Sequence, residues 1–180
     1  MEDVSKFMVQ AVLSYPSKEM FEFYTKRTGD HIARVRNNIK TILTHFSDLD
    51  EKELLKRGKD HDASKYSEKE FIPYVWLTEF HRCQNDNIPF EYPAGIEEQV
   101  EPASEHHINN NRHHPESFND PNEMTLIDVI EMVADWNAMS QELGTSLKDW
   151  VKTTLHKDKK WVFDKKHLNW INNLVSIFEK

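Results

Sequence analysis

The chain has 180 residues, of which 30% are charged and 38% hydrophobic, with a formal net charge of −8 at pH 7 and a single cysteine. That length and apolar content suit one compact domain with a real core, and the negative balance excludes long nucleic acid as a favoured partner. The lone Cys83 excludes an intramolecular disulfide framework and fits a reducing compartment.

Five Trp, ten Phe and five Tyr with only four Gly point to packed helices rather than disorder. Val4, Phe7, Met8, Ala11, Val12 and Tyr15 recur at helical spacing and predict an amphipathic helix that Pro16 ends. This acidic run lacks the basic start and continuous apolar stretch of a signal peptide, and no segment approaches the ~20 apolar residues of a membrane span, so a cytoplasmic location is expected. Ser17 caps the next helix, whose apolar positions Met20, Phe21, Phe23 and Tyr24 run to an expected break near Gly29. From His31 the stripe resumes as Ile32, Val35, Ile39, Ile42, Leu43 and Phe46, and His31 lies on its border.

Asp50 with Glu53 reads as a capping-box-like start to a short helix through Leu54 and Leu55. Ser67 with Glu70 reads as a capping box for a helix through Phe71, Val75, Leu77 and Phe80, with Pro73 in its early turns. Gln84 to Gly95, with Asn87, Pro89 and Pro93, is expected as a loop that can wall a pocket. A helix is expected from about Ile96, and a strong one from Met124 to Leu143 on Leu126, Ile127, Ile130, Val133, Ala134 and Met139. Ser146 and Asp164 cap the last two helices, which look like packing elements separated by a solvated turn at Lys157 to Lys160. His45, His81, His156 and His167 read as ordinary surface or core histidines, and no repeat, glycine-rich phosphate loop or Ser/Cys nucleophile motif occurs.

Three stretches carry chemistry. Lys59 to Tyr66, KDHDASKY, places His61, Asp62 and Lys65 between two helices. Neighbouring side chains on a helix point about 100° apart, so His61 and Asp62 converge on one ion only at a helix end or turn, which Gly58 and Asp60 suit. Imidazole with carboxylate suits zinc, iron, manganese or nickel better than calcium or magnesium, and Lys65, one turn on, can hold an anion. An isolated His-Asp dipeptide is more often a hydrophilic turn, so the weight comes from the rest of the chain.

Glu105 to Asp120 holds four of the ten histidines. His106 or His107 near a helix C-terminus, and His113 and His114 beyond an Asn-rich turn, can face one ion from two backbone segments. Helix C-capping or a solvated polar loop are the competing readings. Asp128, Glu131 and Asp135 share one helix face, and Asp135 among Val133, Ala134 and Trp136 needs either a cationic side chain or a metal as partner.

Read together, His31, the His61-Asp62 pair and Asp135 resemble the H…HD…D signature of the HD-domain superfamily of metal-dependent phosphohydrolases. HDASK is similar to the HDxGK form of that family, with Ser64 where Gly is common and Lys65 retained. With NNNRHHPE and EMVADWNAMS it looks like a group of small phage and bacterial HD-like proteins. The resemblance covers about residues 30–143, leaving 1–29 and 144–180 as flanking packing helices. It departs from HD nucleotidases in the acidic residue after the pair, for which Glu68 or Glu70 are the options.

The resemblance implies an all-α, single-domain HD-like bundle of about seven helices over residues 1–180. It implies one or two divalent transition ions (Mn, Fe, Zn, Co or Ni) on His31, His61, Asp62 and Asp135, with His107 and His113 as ligands of a second and His106 and His114 as alternates. The substrate would be a nucleotide or other small phosphate ester, bound by Lys65 and Arg112, with Lys65, Glu131 and Asp128 in catalytic roles and Glu131 or Asp128 orienting a ligand histidine or activating water. A phage-encoded chain would act in the host cytoplasm. A di-iron HD-type oxygenase, or a non-catalytic module that captures a nucleotide or a protein, are the rival expectations.

Overall fold

Sequence periodicity of 3.6 residues dominates the chain, and in the computed structural model, which describes residues 15–156 and 161–179, seven α-helices and no strand form among the described residues. They are α1 (Lys18–Leu43), α2 (Glu51–Asp60), α3 (Phe71–Asn85), α4 (Glu97–Asn110), α5 (Leu126–Leu143), α6 (Leu147–His156) and α7 (Lys165–Phe178). Short 3-10 turns at Ala63–Tyr66, Pro115–Ser117 and Pro121–Glu123 join them. The expected all-α class is therefore the observed one. The helix expected over Val4 to Tyr15 lies outside the described residues apart from Tyr15, as does the Lys157 to Lys160 turn. No helix among the described residues is long and apolar enough to cross a membrane.

Several helix ends follow from local chemistry. Asp50 accepts the Glu53 N–H at 2.9 Å and Asp164 accepts the His167 N–H at 2.8 Å, both as expected. Thr125 and Asp128 form a reciprocal capping box at the start of α5, which begins at Leu126 rather than Met124. Gly144, at φ 65°, closes α5 in the left-handed conformation that glycine adopts without strain.

Two expectations are corrected. The break near Gly29 is absent: α1 runs unbroken for 26 residues, because one helical glycine costs only about 1 kcal/mol and the apolar spacing on either side continues. The Ser67 and Glu70 capping box does not form. Glu70 occupies the N-cap position of α3 without a side-chain cap bond, its carboxylate being taken by His106, His107 and Ser64.

Contacts divide the chain into two compact units. The first comprises the segment up to Thr28 and Ala63–His107. Its core gathers Met20, Tyr24, Val75, Trp76 and Ile96, with Phe21, Phe71, Tyr74, Phe90 and Tyr92 packed around them. The Tyr24 hydroxyl donates to the Lys65 carbonyl at 3.0 Å, which ties the 3-10 turn after Asp62 to α1.

The second unit comprises Gly29–Asp62 and Ile108–Lys180. It is built on α5, whose Val129, Ile130, Met132, Val133, Ala134 and Ala138 are fully buried against Val35, Ile39 and Ile42 of α1, Leu54 of α2, Val151 of α6 and Ile171 of α7. A helix surrounded in this way buries its polar residues too, which puts Asp128 and Glu131 in the interior. Asn38 donates to the Ala134 carbonyl at 3.0 Å, fixing α1 beside the segment that carries Asp135. Gly58 lets α2 approach α1 closely, since a Cβ there would lie 3.0 Å from Ile39 Cδ1.

Candidate metal centre

The His61-Asp62 pair sits where α2 stops. His61 is the C-cap of α2 with φ −52° and ψ 130°, and Asp62 follows at φ 57°. This left-handed residue breaks the helical fan of side chains, and aspartate is one of the few non-glycine types enriched there. Both side chains end up buried and aimed at the same interior point.

That point is completed by α1 and α5. His31 Nε2 lies 2.9 Å from Asp135 Oδ1 and 3.7 Å from Asp62 Oδ2. His61 Nε2 lies 3.4 Å from His31 Nε2 and 3.7 Å from both Asp62 Oδ1 and Asp135 Oδ1. An ion held at about 2.1 Å by nitrogen and oxygen separates neighbouring donors by roughly 3.0 Å in an octahedral shell and 3.4 Å in a tetrahedral one. His31, His61 and Asp135 therefore gather donor atoms that can share one ion, with Asp62 beside them at 3.7 Å from each histidine, and imidazole with carboxylate is a donor set for a divalent transition ion. The cluster can hold a metal ion.

Around it lies a second layer of charge. His61 Nδ1 donates to Glu131 Oε1 at 2.9 Å, which leaves the Nε2 lone pair for the centre. Arg57 donates from Nε to Glu131 Oε2 at 2.6 Å and from Nη1 to Asp128 Oδ1 at 3.0 Å. Arg112 grips both oxygens of Asp128, at 3.1 and 3.0 Å, with its guanidinium 4.6 Å from the Phe118 ring centroid, while the Thr125 hydroxyl donates to Asp128 at 2.8 Å. Asp128 is thus committed to two guanidinium groups and a helix cap, and Arg112 to Asp128.

The protonation preferences follow. Burial alone would lower the His61 pKa, yet the Asp62 charge and the bonds to Asp135 and Glu131 push it up to about 10. Burial would raise Glu131 and Asp135, but the facing histidines hold both well below the ordinary carboxylate range. His113 is lowered by burial and by the neighbouring His61. Asp62, Asp128, Glu131 and Asp135 outweigh Arg57 and Arg112 by two negative charges, and in the metal-free interior the raised His61 pKa answers part of that imbalance with a proton, whose place an ion on Nε2 would take.

A second histidine group adjoins the first in this unit. His113 Nε2 is 3.5 Å from Asp62 Oδ1, its Nδ1 is 3.4 Å from Glu131 Oε1, and its ring stacks 4.3 Å from that of His61. Donor atoms of Asp62, His113 and His114 lie within 4.8 Å of one another. The two oxygens of Asp62 thus face different imidazoles, Oδ2 toward His31 and Oδ1 toward His61 and His113.

His106, His107 and Lys65 fall in the first unit. There the fully buried Glu70 accepts from His106 Nδ1 at 2.6 Å, His107 Nδ1 at 3.0 Å and the Ser64 hydroxyl at 3.0 Å. Lys65 Nζ lies 5.6 Å from the Tyr74 ring centroid, and that ring meets His107 edge-on at 5.5 Å.

Sequence reasoning passed over Arg57 and assigned Glu70 to a helix cap or to the nucleotidase position. The spacing of Arg57 and His61, four residues apart at the end of a predicted helix, was the available signal. A family model described as a family of unknown function (DUF5662) matches residues 20–177, a span that holds every side chain named in this site. No curated protein and no solved structure matches the chain.

Proposed function

The chain belongs to this family of unknown function, and from that premise we propose that it is an HD-type, metal-dependent phosphohydrolase acting on a nucleotide or another small phosphate ester. The observation that carries the proposal is the meeting of His31, His61 and Asp135, in the chain order of the HD signature and with donor separations of 2.9 to 3.7 Å, beside Asp62, whose oxygens lie 3.7 Å from each histidine. A divalent ion in such a shell supplies an acidified water and polarises a phosphoryl oxygen.

The protein's own part is orientation and charge. Glu131 keeps the His61 proton on Nδ1, so that Nε2 is presented as a donor. Asp62 offers one oxygen to each side, which supports a second ion on Asp62 and His113, with His114 as the alternate ligand. Arg112, bound to Asp128 yet with 56% of its side chain exposed, is the cation of this unit offered to a substrate oxygen.

Metal analysis of protein purified without chelator tests this reading. One or two transition ions per chain are expected, lost in His61→Ala and Asp62→Ala, together with phosphate release from one of a panel of phosphomonoesters, cyclic nucleotides and dinucleotides. Failure to take up manganese, iron, zinc, cobalt or nickel on reconstitution overturns it. Bound iron with oxygen uptake and no phosphate release would assign the site to an oxygenase, and tight nucleotide binding without turnover to a binding module.

A further inference from the structure

Glu131 is shared between two histidines that reach it from different parts of the chain. Its Oε1 faces Nδ1 of His61, at the end of α2, and Nδ1 of His113, beyond α4. Its other oxygen, Oε2, is held by Arg57 at 2.6 Å. A carboxylate bound on one oxygen alone turns about its terminal torsion, which is broad and two-fold, and exchanges its oxygens. Here the guanidinium blocks that turn. Arg57 forks between Glu131 and Asp128, and Asp128 is itself fixed by Arg112, by the Thr125 hydroxyl and by the Thr125 N–H at 2.9 Å. The orientation of Oε1 is therefore inherited from the start of α5, through Arg57.

His61 Nδ1 is hydrogen-bonded to Oε1 and His113 Nδ1 stands 3.4 Å from the same oxygen, short of a hydrogen bond, while the Nε2 atoms of both stand near Asp62 Oδ1, at 3.7 Å for His61 and 3.5 Å for His113. We infer that Arg57 is a positioning residue which, by pinning Glu131, aims His61 and His113 together and so couples the two metal positions. The inference rests on the reading that this site binds metal. Arg57 bonds to Glu131 and Asp128 and acts on the imidazoles through the carboxylate, four residues before His61 in the chain.

The alternative is that Arg57 only neutralises two buried acids. Arg57→Lys separates the two roles, because an ammonium keeps the charge but cannot fork Glu131 and Asp128 in one plane. Cobalt(II) titration of the full chain, followed by visible absorption, is the measurement, with circular dichroism and melting of the metal-free protein beside it. Affinity for both ions is expected to fall together by about 10- to 100-fold in Arg57→Lys, with an altered absorption band and an unchanged helical spectrum. Glu131→Gln, which keeps the size and one acceptor oxygen, should reproduce the paired loss. Wild-type affinity and spectrum in Arg57→Lys would overturn the inference and leave the metal site standing. A loss confined to one ion, or a wild type that binds a single ion, would overturn the coupling of His61 with His113. A wild type that takes up no cobalt would overturn both readings.

Discussion

Asp62 combines two requirements, a carboxylate at the centre and a left-handed backbone at φ 57°. An ordinary L-residue in that conformation costs about 1–2 kcal/mol, and glycine almost nothing. Asp62→Gly and Asp62→Ala both remove the carboxylate, so their difference isolates the backbone. The glycine variant should be the more stable by about 1 kcal/mol in chemical denaturation of metal-free protein, the reverse of their order inside a helix. Equal stabilities, or a more stable alanine variant, would show that the turn carries no such strain. The His61-Asp62 pair was legible in the sequence because its chemistry is contiguous, and Asp135 because a carboxylate among Val133, Ala134 and Trp136 stands out. Arg57 was not legible. It sits in the charged run EKELLKRGKD, which reads as a solvated face, and only the packing of α2 leaves its side chain 17% exposed.

At the scale of elements, α5 depends on its first turn. Asp128 closes the capping box with Thr125 while paired with Arg57 and Arg112. Burial would raise its pKa, but those bonds outweigh burial and hold it below the ordinary aspartate value of about 3.9. The sign follows from linkage. The native state binds the proton less readily than the unfolded chain, so the stabilisation is complete above about pH 4 to 5 and is lost as pH falls through the lowered native value. Asp128→Asn should therefore cost about 1–3 kcal/mol near neutral pH, and its stability should converge on that of the wild type in acid. Parallel curves across the acid limb would dismiss the carboxylate as the source. Helices with an unbroken apolar stripe were legible from periodicity alone, whereas their ends were less so. Ser67 and Glu70 match a capping box in spacing, yet local capping lost to the imidazoles of His106 and His107, contributed from α4.

For the molecule as a whole, the all-α class was readable from composition and period, because few glycines and many helical stripes leave little else to build. The division into two units was not, since α1 passes from one to the other at Gly29 without a change of composition. Which histidines share a unit was equally hidden. His107 and His113 are close in sequence, yet the division falls between His107 and Ile108.

The donors of the centre arrive from α1, from the end of α2 and from α5, four helices after the first. A chain leaving the ribosome thus presents His31, His61 and Asp62 well before Asp135 exists to join them. An ion bound there would accordingly lock a finished bundle rather than start one. In stopped-flow experiments, saturating metal should slow unfolding and leave the refolding rate nearly unchanged, as interactions absent from the transition state do. Faster refolding with metal would place the closure of α1, α2 and α5 ahead of the rate-limiting step.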